Sequence, residues 1–556
     1  MLGRITLSEA ALVVTLTALL TVGILWVPDV LGRGPAYSGD LYEHVTLCQL
    51  FGDSVLQHGV FPQWLQRVRF GLGGPNFVYY PPLYPFSVTV LRAFTGLETW
   101  PAMRATDLLF QWGIGMVVWL YLRRSLSRQT AIACALTTEL CATPAGILMA
   151  FAARPWFAAT PLILLCIFLI IEPPSNVRAP RWGLALAYAL LVLLHIVSAL
   201  LVGAIAGFIL AFHGLGRFRR QPLRLLSTAA ALAIGLGLTA FYWLPGVMNT
   251  DLILSQYWHM DEWRKSTAFP IISNALGFPT RWWSWQYPIP MIYAAFLLVI
   301  WILGRVTRHQ FTYLQRGLML AGGAALFLSS EYAYPVYKLF LPLTRIQHPY
   351  RFISPAAICV TVALSMFCWR TLETHSQKAH RFLAGGVLFL FALTQLVLVY
   401  VWARGDEVPN PQRMRNLESS AEYLPASART IRGDWLTWAR GNGFAADCER
   451  LGVTVLSTSR DNHLQVWDIH APGSLDLRLP VFQFPGWRLS VDGGVVESRT
   501  DPATGVIVVP LHPGVQHVEL QWIRSRIWLT REGAMITAST LIVLLIWVLY
   551  AKRMRA

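Results

Sequence analysis

Charged residues are scarce in this chain of 556 residues. They make up 13% of it, whereas soluble globular proteins carry about 25%. Several apolar stretches exceed the ~18 residues that mark a candidate membrane span. Lysine occurs only four times, and most of the net charge of +16 comes from arginines in short runs between apolar stretches. The positive-inside rule predicts this placement, so the sequence indicates an integral membrane protein and argues against a nucleic-acid partner.

Signature motifs of soluble enzymes are absent as well. The sequence has no P-loop, no GxGxxG after a strand, no GxSxG and no HExxH. Its seven cysteines include no CxxC pair, and five lie in apolar segments, where small buried thiols are ordinary. Nucleotide-driven chemistry and a zinc-finger fold are therefore unsupported. Cys48 and Cys448 fall in predicted outer regions, where a disulfide between them is left open.

Twelve apolar segments are predicted to cross the membrane as helices. With the N-terminus inside, every turn that faces the cytoplasm carries Arg or Lys, from "RRSLSR" (123–128) to "AKRMRA" (551–556). Both termini are therefore predicted to lie on the cytoplasmic side of the inner membrane, provided that the apolar stretch 82–97 does not span. The segments are 8–28, 102–122, 129–149, 155–172, 182–196, 198–213, 225–245, 288–304, 315–330, 353–370, 382–403 and 528–550.

The region 404–527 is the only sizeable soluble part of the chain. Its later portion alternates apolar and polar residues, as in "HLQVWDI", "GVIVVP" and "HVELQW", which is typical of strands. The stretch "VDGG" indicates a hairpin with a type I′ turn. We predict a membrane core over 1–403 that includes a first outer loop at 29–100. A small extracytoplasmic β-sandwich follows at 404–527, and 528–556 holds the last helix and a basic tail.

The first outer loop contains the stretch "GDLYEHVTLCQLFGDSVLQHG", which has the pattern of an amphipathic helix closed by Gly59. Residues three and four apart share a helix face, so Asp40, Glu43 and His44 are predicted to project together. Two interpretations remain for this group. Asp40 followed by Glu43 resembles a capping box, or the three side chains form a functional site.

A second cluster of polar residues lies in "SSEYAYPVYKLFLPLTRIQHPYRFISP". Lys338 and Arg345 suit a membrane interface, to which long basic side chains snorkel. His348 and Arg351 flank a proline just before a predicted span, where Arg matches phosphate oxygens in a bidentate way. Arg154, in "FAARPW", lies at another outer turn and is a candidate for the same cavity.

Among the ionisable residues within predicted spans, we single out Glu139, Asp107 and His195. Glu139 in "TTELC" lies mid-span, and Asp107 in "TDLLF" lies near the outer end of its span. An ionisable group inside a membrane is costly and so raises a functional hypothesis. For Glu139 a structural role, paired with a Thr or Arg of another helix, is the alternative. We interpret His195 as a packed break between two helices.

The order of these motifs resembles the GT-C superfamily of membrane glycosyltransferases. One span precedes a large outer loop with "GDLYEH", "GVFPQW" and "GLGGPNFVYYPPLYP". In outline the chain is similar to bacterial multispan proteins of the YfhO and 6-pyruvoyl-tetrahydropterin synthase-related membrane families. "RIQHPYRF" (345–352) resembles their loop of the form Gln-Phe-Pro-Trp-Arg-Phe, and "FPGWRLSVDGGVV" (484–496) resembles a strand pair in their final outer domain.

The resemblance implies transfer of a sugar from a polyprenyl-phosphate donor to a lipid, glycan or protein acceptor at the outer membrane face. Asp40 matches the position of the superfamily's catalytic acid, which implies that it acts as the general base or orients and polarises the acceptor hydroxyl. The resemblance further implies that His44 orients Asp40 or helps to bind a metal, and Glu43 is the nearest second acid. Leu41 stands where an adjacent acid would be, so a divalent metal, which some members use, is left open. The resemblance implies that the donor phosphate is held by basic residues, for which the candidates are Arg351, His348, Arg154 and Arg345.

Two other functions remain compatible with the sequence. A transporter or lipid flippase fits twelve spans and Glu139, although no pair of matching broken helices, as inverted repeats would give, is evident. A non-catalytic polysaccharide or lipid assembly protein on the same scaffold fits the β-rich region and the missing acidic pair.

Overall fold

A computed structural model describes most of the chain. The described residues are 6–30, 41–59, 61–149, 154–171, 181–217, 222–255, 288–346, 348–403, 423–430, 433–523 and 531–553. They form a mostly helical protein with several apolar helices and one small β region.

The helices follow the apolar segments of the sequence. Each of the twelve predicted segments contains a helix, or two helices separated by a short break, over most of its length. The helices are α1 Leu7–Val30, α2 Leu41–His58, α3 Asn76–Tyr79, α4 Leu83–Thr95, α5 Thr99–Leu122, α6 Arg128–Met149, α7 Arg154–Ala158, α8 Thr160–Ile171, α9 Trp182–Leu194, α10 Ile196–Arg217, α11 Pro222–Leu238, α12 Ala240–Met248, α13 Pro288–Val306, α14 Tyr313–Leu328, α15 Tyr334–Leu339, α16 Ile353–Thr374, α17 Lys378–Ala403, α18 Asp434–Arg440, α19 Gly443–Leu451 and α20 Arg531–Arg553.

Length and composition identify a multi-pass membrane protein. Among the described residues, five helices are long and apolar enough to cross a membrane. A sixth is added if α11 and α12, which are bent by 75° at Thr239, count as one broken span. The central helix is α16, which is almost wholly buried and packs against α6, α13, α14 and α17. The five helices are Thr99–Leu122, Arg154–Ile171, Ile289–Val306, Pro349–Thr374 and Lys378–Val397.

The first outer loop contains two helices that pack against each other. Helix α2 ends at His58 and is followed by Gly59 with φ +64°, so the predicted helix and its glycine stop are confirmed. Helix α4 has 13 residues, about 20 Å at about 1.5 Å per residue, which is too short for a hydrocarbon core of about 30 Å. Arg92 of α4 forms an ion pair with Asp53 of α2 over 3.0 Å, so the charged residue of this apolar helix faces protein.

The β region consists of two antiparallel sheets. The strands are β1 Thr454–Arg460, β2 Leu464–Ala471, β3 Leu475–Phe482, β4 Trp487–Val491, β5 Gly494–Val496, β6 Arg499–Thr500, β7 Val506–Leu511 and β8 Gly514–Trp522. One sheet has the strand order β1-β2-β8-β4-β5 and the other has the order β3-β7-β6. The predicted turn at "VDGG" joins β4 to β5, with Asp492 at φ +50° and Gly493 at φ +79°, as a type I′ turn requires. Helices α18 and α19 precede the strands and were not anticipated.

The β region and the first outer loop share one hydrophobic core. Trp64 of the loop is fully buried, with its ring 5.4 Å from that of Trp487 and 5.3 Å from that of Trp522. The indole of Trp522 donates to the side-chain oxygen of Gln63 over 2.8 Å, and Phe482 N donates to Leu72 O over 3.0 Å. The loop that follows α2 is therefore held between the membrane helices and the sheets. Cys48 and Cys448 are both buried free thiols, so the disulfide that the sequence leaves open is not formed.

Candidate functional site

His44 lies on the buried face of α2, one turn after the helix begins. Its Nδ1 is 2.9 Å from the hydroxyl of Tyr80, while its Nε2 is buried without a hydrogen-bond partner among the described residues. Burial, reinforced by the positive charge of Arg154, lowers the pKa of His44 from 6.5 to about 3. The imidazole is therefore neutral, and one of its two nitrogens is available to a ligand.

The acids beside His44 differ in what the structure describes. Asp40 immediately precedes α2 and lies outside the described residues. Glu43 is half-buried in the first turn of α2. Its negative charge acts on the buried guanidinium of Arg69, partly opposing the burial that lowers the Arg69 pKa to about 10. Glu43 therefore faces a cation of the same outer loop.

Arg69 occupies a strained position in that loop. Arg69 and Phe70 have φ values of +53° and +58°, which are unfavourable for residues with a Cβ. The Arg69 Nη1 donates to Gly73 O over 3.3 Å and to the Asn76 side chain over 3.4 Å. At Gly74 a Cβ would overlap the guanidinium. The glycine-rich stretch thus wraps around a buried cation that sequence reasoning did not single out.

Arg154 forms a buried ion pair with Asp107. Its Nη1 lies 3.0 Å from the Oδ2 of Asp107 in α5, and both side chains are largely buried. The other carboxylate oxygen of Asp107 accepts from the Tyr84 hydroxyl over 2.7 Å. Within the described ranges, the Nε of Arg154 is buried without a partner. Asp107, predicted to lie near one end of its span, is therefore the counter-ion of the Arg154 guanidinium.

The described part of "RIQHPYRF" contacts Trp156, which lies two residues after Arg154 in α7. The guanidinium carbon of Arg351 is 5.9 Å from the centre of the Trp156 ring, and Tyr350 lies 6.3 Å from the same ring. His348 stacks on Tyr350 at 5.1 Å. Burial, and then the charge of Arg351, lower the pKa of His348 to about 3. The side chain of Arg345 lies outside the described parts of the chain.

Several buried nitrogens in this group have no hydrogen-bond partner in the part of the protein that the structure describes. They are the Nε of Arg154, Nε1 of Trp156, Nε2 of His44 and Nδ1 of His348. A buried polar group without a partner costs about 1–3 kcal/mol, and such groups are rare unless a ligand or water satisfies them. Two of the four are obligatory N–H donors, and two arginines lie among them. The arrangement suits an anion.

The remaining residues in the spans have local partners. Glu139 is fully buried and accepts from the Thr21 hydroxyl over 2.6 Å and from Gly115 N over 2.8 Å. This arrangement matches the structural interpretation of Glu139, in which the carboxylate pairs with a Thr of another helix. His195 lies between α9 and α10, with its Nδ1 2.7 Å from the Ser198 hydroxyl, so the predicted break is confirmed. His195 also lies close enough to His44 and Arg351 for their charges to act on its ring, so it is near the group of buried nitrogens.

A divalent metal finds no ready ligand set in the described residues. No group of three His, Cys, Asp or Glu side chains is placed to hold one there. His44 already uses Nδ1 for Tyr80, and Glu43 faces Arg69. The residues that the structure brings together therefore fit an anion better than a cation.

Comparison with known proteins gives similarities of fold at low identity. No protein family and no curated protein matches the sequence. ArnT from Cupriavidus metallidurans in the apo state is 15% identical over 76% of this chain and 78% of ArnT, with a TM-score of 0.41. The arabinofuranosyltransferase AftD from Mycobacteria is 16% identical over 73% of this chain and 28% of AftD, with a TM-score of 0.42. The oligosaccharyltransferase of Archaeoglobus fulgidus is 12% identical over 73% of this chain and 57% of that protein, with a TM-score of 0.36.

These three neighbours are GT-C glycosyltransferases. Their TM-scores are below 0.5, so the overlap carries no argument about the activity or substrates of this chain. The more specific resemblance to the YfhO and pterin-synthase-related families stays a prediction. The function proposed for this protein therefore rests on its own residues and not on those of its structural neighbours.

Proposed function

We propose that this protein is a membrane glycosyltransferase of the GT-C type. It would move a sugar from a polyprenyl-phosphate-linked donor to a lipid, glycan or protein acceptor on the outer face of the cytoplasmic membrane. The observation that carries the proposal is the group of buried nitrogens around Arg154, Trp156 and His348 that lack a partner among the described residues, with Arg351 beside them. These residues lie next to the outer-loop helix that Asp40 precedes.

The donor phosphate fits this group by charge and hydrogen bonding. A guanidinium presents several N–H donors to phosphate oxygens, and the indole N–H of Trp156 adds a neutral donor. Arg351 is the cation proposed to bind the phosphate directly, because its guanidinium carbon lies 5.9 Å from the centre of the Trp156 ring, which carries the indole donor. Arg154 and His348 are proposed to add hydrogen bonds to the phosphate through Nε and Nδ1, respectively. Arg345 remains a candidate from the sequence alone.

The proposed reaction is a single displacement at the anomeric carbon. The acceptor oxygen attacks that carbon, the bond from the carbon to the phosphate oxygen breaks, and the polyprenyl phosphate leaves with the electron pair. Asp40 takes the acceptor proton, a role worth about 10²–10⁴-fold in rate. The arginines stabilise the charge that develops on the leaving phosphate. Each bond and proton is accounted for without a further reactant.

Glu43 and His44 support this step rather than perform it. His44 is neutral and buried, with a pKa of about 3, so it is a poor base at neutral pH and a good hydrogen-bonding partner. Glu43 acts on Arg69 and so contributes to the electrostatics around the start of α2. The proposed displacement has no step that requires a metal.

The organisation of the chain is proposed to follow the twelve-span arrangement. The N- and C-termini would be cytoplasmic, while the first outer loop and a β-sandwich within 404–527 would face outside. This division puts the core at 1–403 and the last helix at 528–556. The shared core around Trp64 supports placing the loop and the sheets on the same side of the membrane.

Loss of the gene offers the broadest test of this function. Lipids and cell-envelope glycans would be compared between a strain that lacks the gene, the same strain carrying the wild-type gene, and one carrying Asp40→Asn. The proposal predicts that one glycan or glycolipid loses a sugar on deletion, that the wild-type gene restores it and that the Asn variant does not. Unchanged glycans together with a change in lipid distribution would favour a flippase.

A further inference from the structure

Tyr80 is the hydrogen-bonding partner of the neutral histidine in the candidate site. Its hydroxyl lies 2.9 Å from Nδ1 of His44, and the two rings are 5.9 Å apart at an angle of 45°. Tyr80 ends the glycine-rich stretch of the first outer loop, directly after α3, whereas His44 is on α2. One hydrogen bond therefore joins two separate segments of the loop at the site.

The segment that carries Tyr80 is held in place from distant parts of the chain. The Tyr79 hydroxyl donates to Asn249 O over 2.6 Å, and the Tyr242 hydroxyl donates to Tyr79 O over 2.9 Å. Tyr423 lies against both tyrosines, stacked on Tyr79 at 6.5 Å and edge-on to Tyr80 at 6.0 Å. The broken span α11–α12 and the start of the β region thus fix the position of this phenol.

A second connection joins the β region to the residues that follow α12, where the Tyr79 hydroxyl also bonds. Leu254 N donates to Leu424 O over 2.9 Å, and Ile253 forms a β-bridge with Pro425. Tyr79 belongs to the hydrophobic core that Trp64 shares with the sheets. Because Tyr80 is fixed on this side and His44 is fixed on α2, the hydroxyl has little freedom to leave Nδ1.

A neutral imidazole carries one proton, and its partner decides which nitrogen holds it. If the phenol donates to Nδ1, the proton lies on Nε2, which is buried and has no partner among the described residues. Nε2 would then be a donor toward the site. The neighbouring cation Arg154 and the donors around it suit an anionic ligand, and a donor at Nε2 completes such a set.

We propose that Tyr80 is a positioning residue that holds His44 as the Nε2–H tautomer, so that His44 offers a neutral N–H donor to the phosphate of the bound lipid. The identity of that ligand rests on the proposed function, whereas the tautomer does not depend on it. The proposal also gives the β region a role, because the region holds the tyrosine pair in place.

Nitrogen-15 chemical shifts of histidine report the tautomer directly. The full-length protein would be labelled at its histidine ring nitrogens and examined in detergent, with His44→Gln used to assign the His44 signals. We expect a protonated Nε2 and an unprotonated Nδ1 in the wild type, and a mixture of tautomers in Tyr80→Phe. A protonated Nδ1 in the wild type, or identical shifts in the two proteins, would overturn the proposal.

Binding of a short-chain polyprenyl phosphate tests whether the Nε2–H group of His44 donates a hydrogen bond to the phosphate. The amide nitrogen of Gln superposes approximately on Nε2 and that of Asn on Nδ1, so His44→Gln should bind within about threefold of wild type and His44→Asn about 10-fold more weakly, the loss of one hydrogen bond to a charged group. Tyr80→Phe should lose about 3- to 10-fold alone and nothing further in the His44→Gln background.

Tyr121→Phe is the matched control for this experiment. Its hydroxyl donates a buried hydrogen bond to the backbone carbonyl of Phe168 over 3.0 Å, and Tyr121 lies about 21 Å along α5 from Asp107. The control should bind like the wild type. Equal losses in the two Phe variants, or equal binding by the Gln and Asn variants, would refute the role of Tyr80. A wild-type protein with the expected tautomer that binds no polyprenyl phosphate would instead count against the proposed function.

Discussion

Removing the charge of Asp107 should lower the free energy of unfolding and, at the same time, increase the stabilisation that polyprenyl phosphate gives. In Asp107→Asn the side-chain oxygen can still accept from Tyr84, but the guanidinium of Arg154 loses the carboxylate that lies 3.0 Å away. Both side chains of the pair are at least 88% buried, since their exposed fractions are 12% and 3%. Leaving one charge of a buried pair without its partner costs about 3–5 kcal/mol, so the free energy of unfolding should fall by that amount.

The same substitution leaves Arg154 free to engage a phosphate. Polyprenyl phosphate should therefore stabilise Asp107→Asn more than it stabilises the wild type, because a ligand that binds only the folded state stabilises it. Unfolding in SDS with and without the lipid measures both quantities. The double variant Asp107→Asn/Arg154→Gln should regain most of the stability and lose the extra response to lipid. Equal destabilisation of the single and double variants would refute the pairing argument.

Three other predictions concern the lipid site, the β region and the topology. Trp64→Ala should destabilise the contact between loop and sheets by about 3–5 kcal/mol, the usual cost for a buried Trp, and hydrogen exchange at residues 61–79 should rise; unchanged protection there would contradict the shared core. Arg351→Ala should weaken polyprenyl phosphate binding at least 10-fold, whereas Lys338→Ala, at an exposed residue that lies over the Tyr334 ring, should not; equal effects would favour simple anchoring at the membrane interface. Reporter fusions at Arg308 should read cytoplasmic and at Asn462 outside, and an outside signal at Arg308 would break the twelve-span arrangement.

Local patterns in the sequence were sufficient to predict most of the secondary structure. Apolar length marks the helices, and Gly59 marks the end of α2 because a positive φ is available to glycine at little cost. The Asp-Gly pair at 492–493 marks a hairpin for the same reason. Helices α18 and α19 were missed, because they are short and precede the alternating stretches on which the strand prediction rested.

The contacts that build the candidate site were much harder to predict. Arg154 and Asp107 are 47 positions apart, and Trp522 reaches Gln63 across 459 positions. Nothing in a local pattern encodes which distant partner a buried polar group will find. A physical signal did exist for Asp107, because a carboxylate placed within a span needs a partner. For Tyr80 the sequence offered only an aromatic-rich loop, and its bond to His44 is visible in the structure alone.

The most direct test of the central claim is sugar transfer by Asp40→Asn in purified form. The protein would be reconstituted in liposomes with a polyprenyl-phosphate-linked sugar donor and the acceptor identified from the deletion strain, and transfer would be measured beside donor binding. The account predicts that the variant inserts, binds the donor like the wild type and transfers sugar about 10²- to 10⁴-fold more slowly. Asn is a good helix N-cap, so a residue that only caps α2 would tolerate the change. Near-normal transfer by a stable Asn variant would contradict the catalytic role of Asp40.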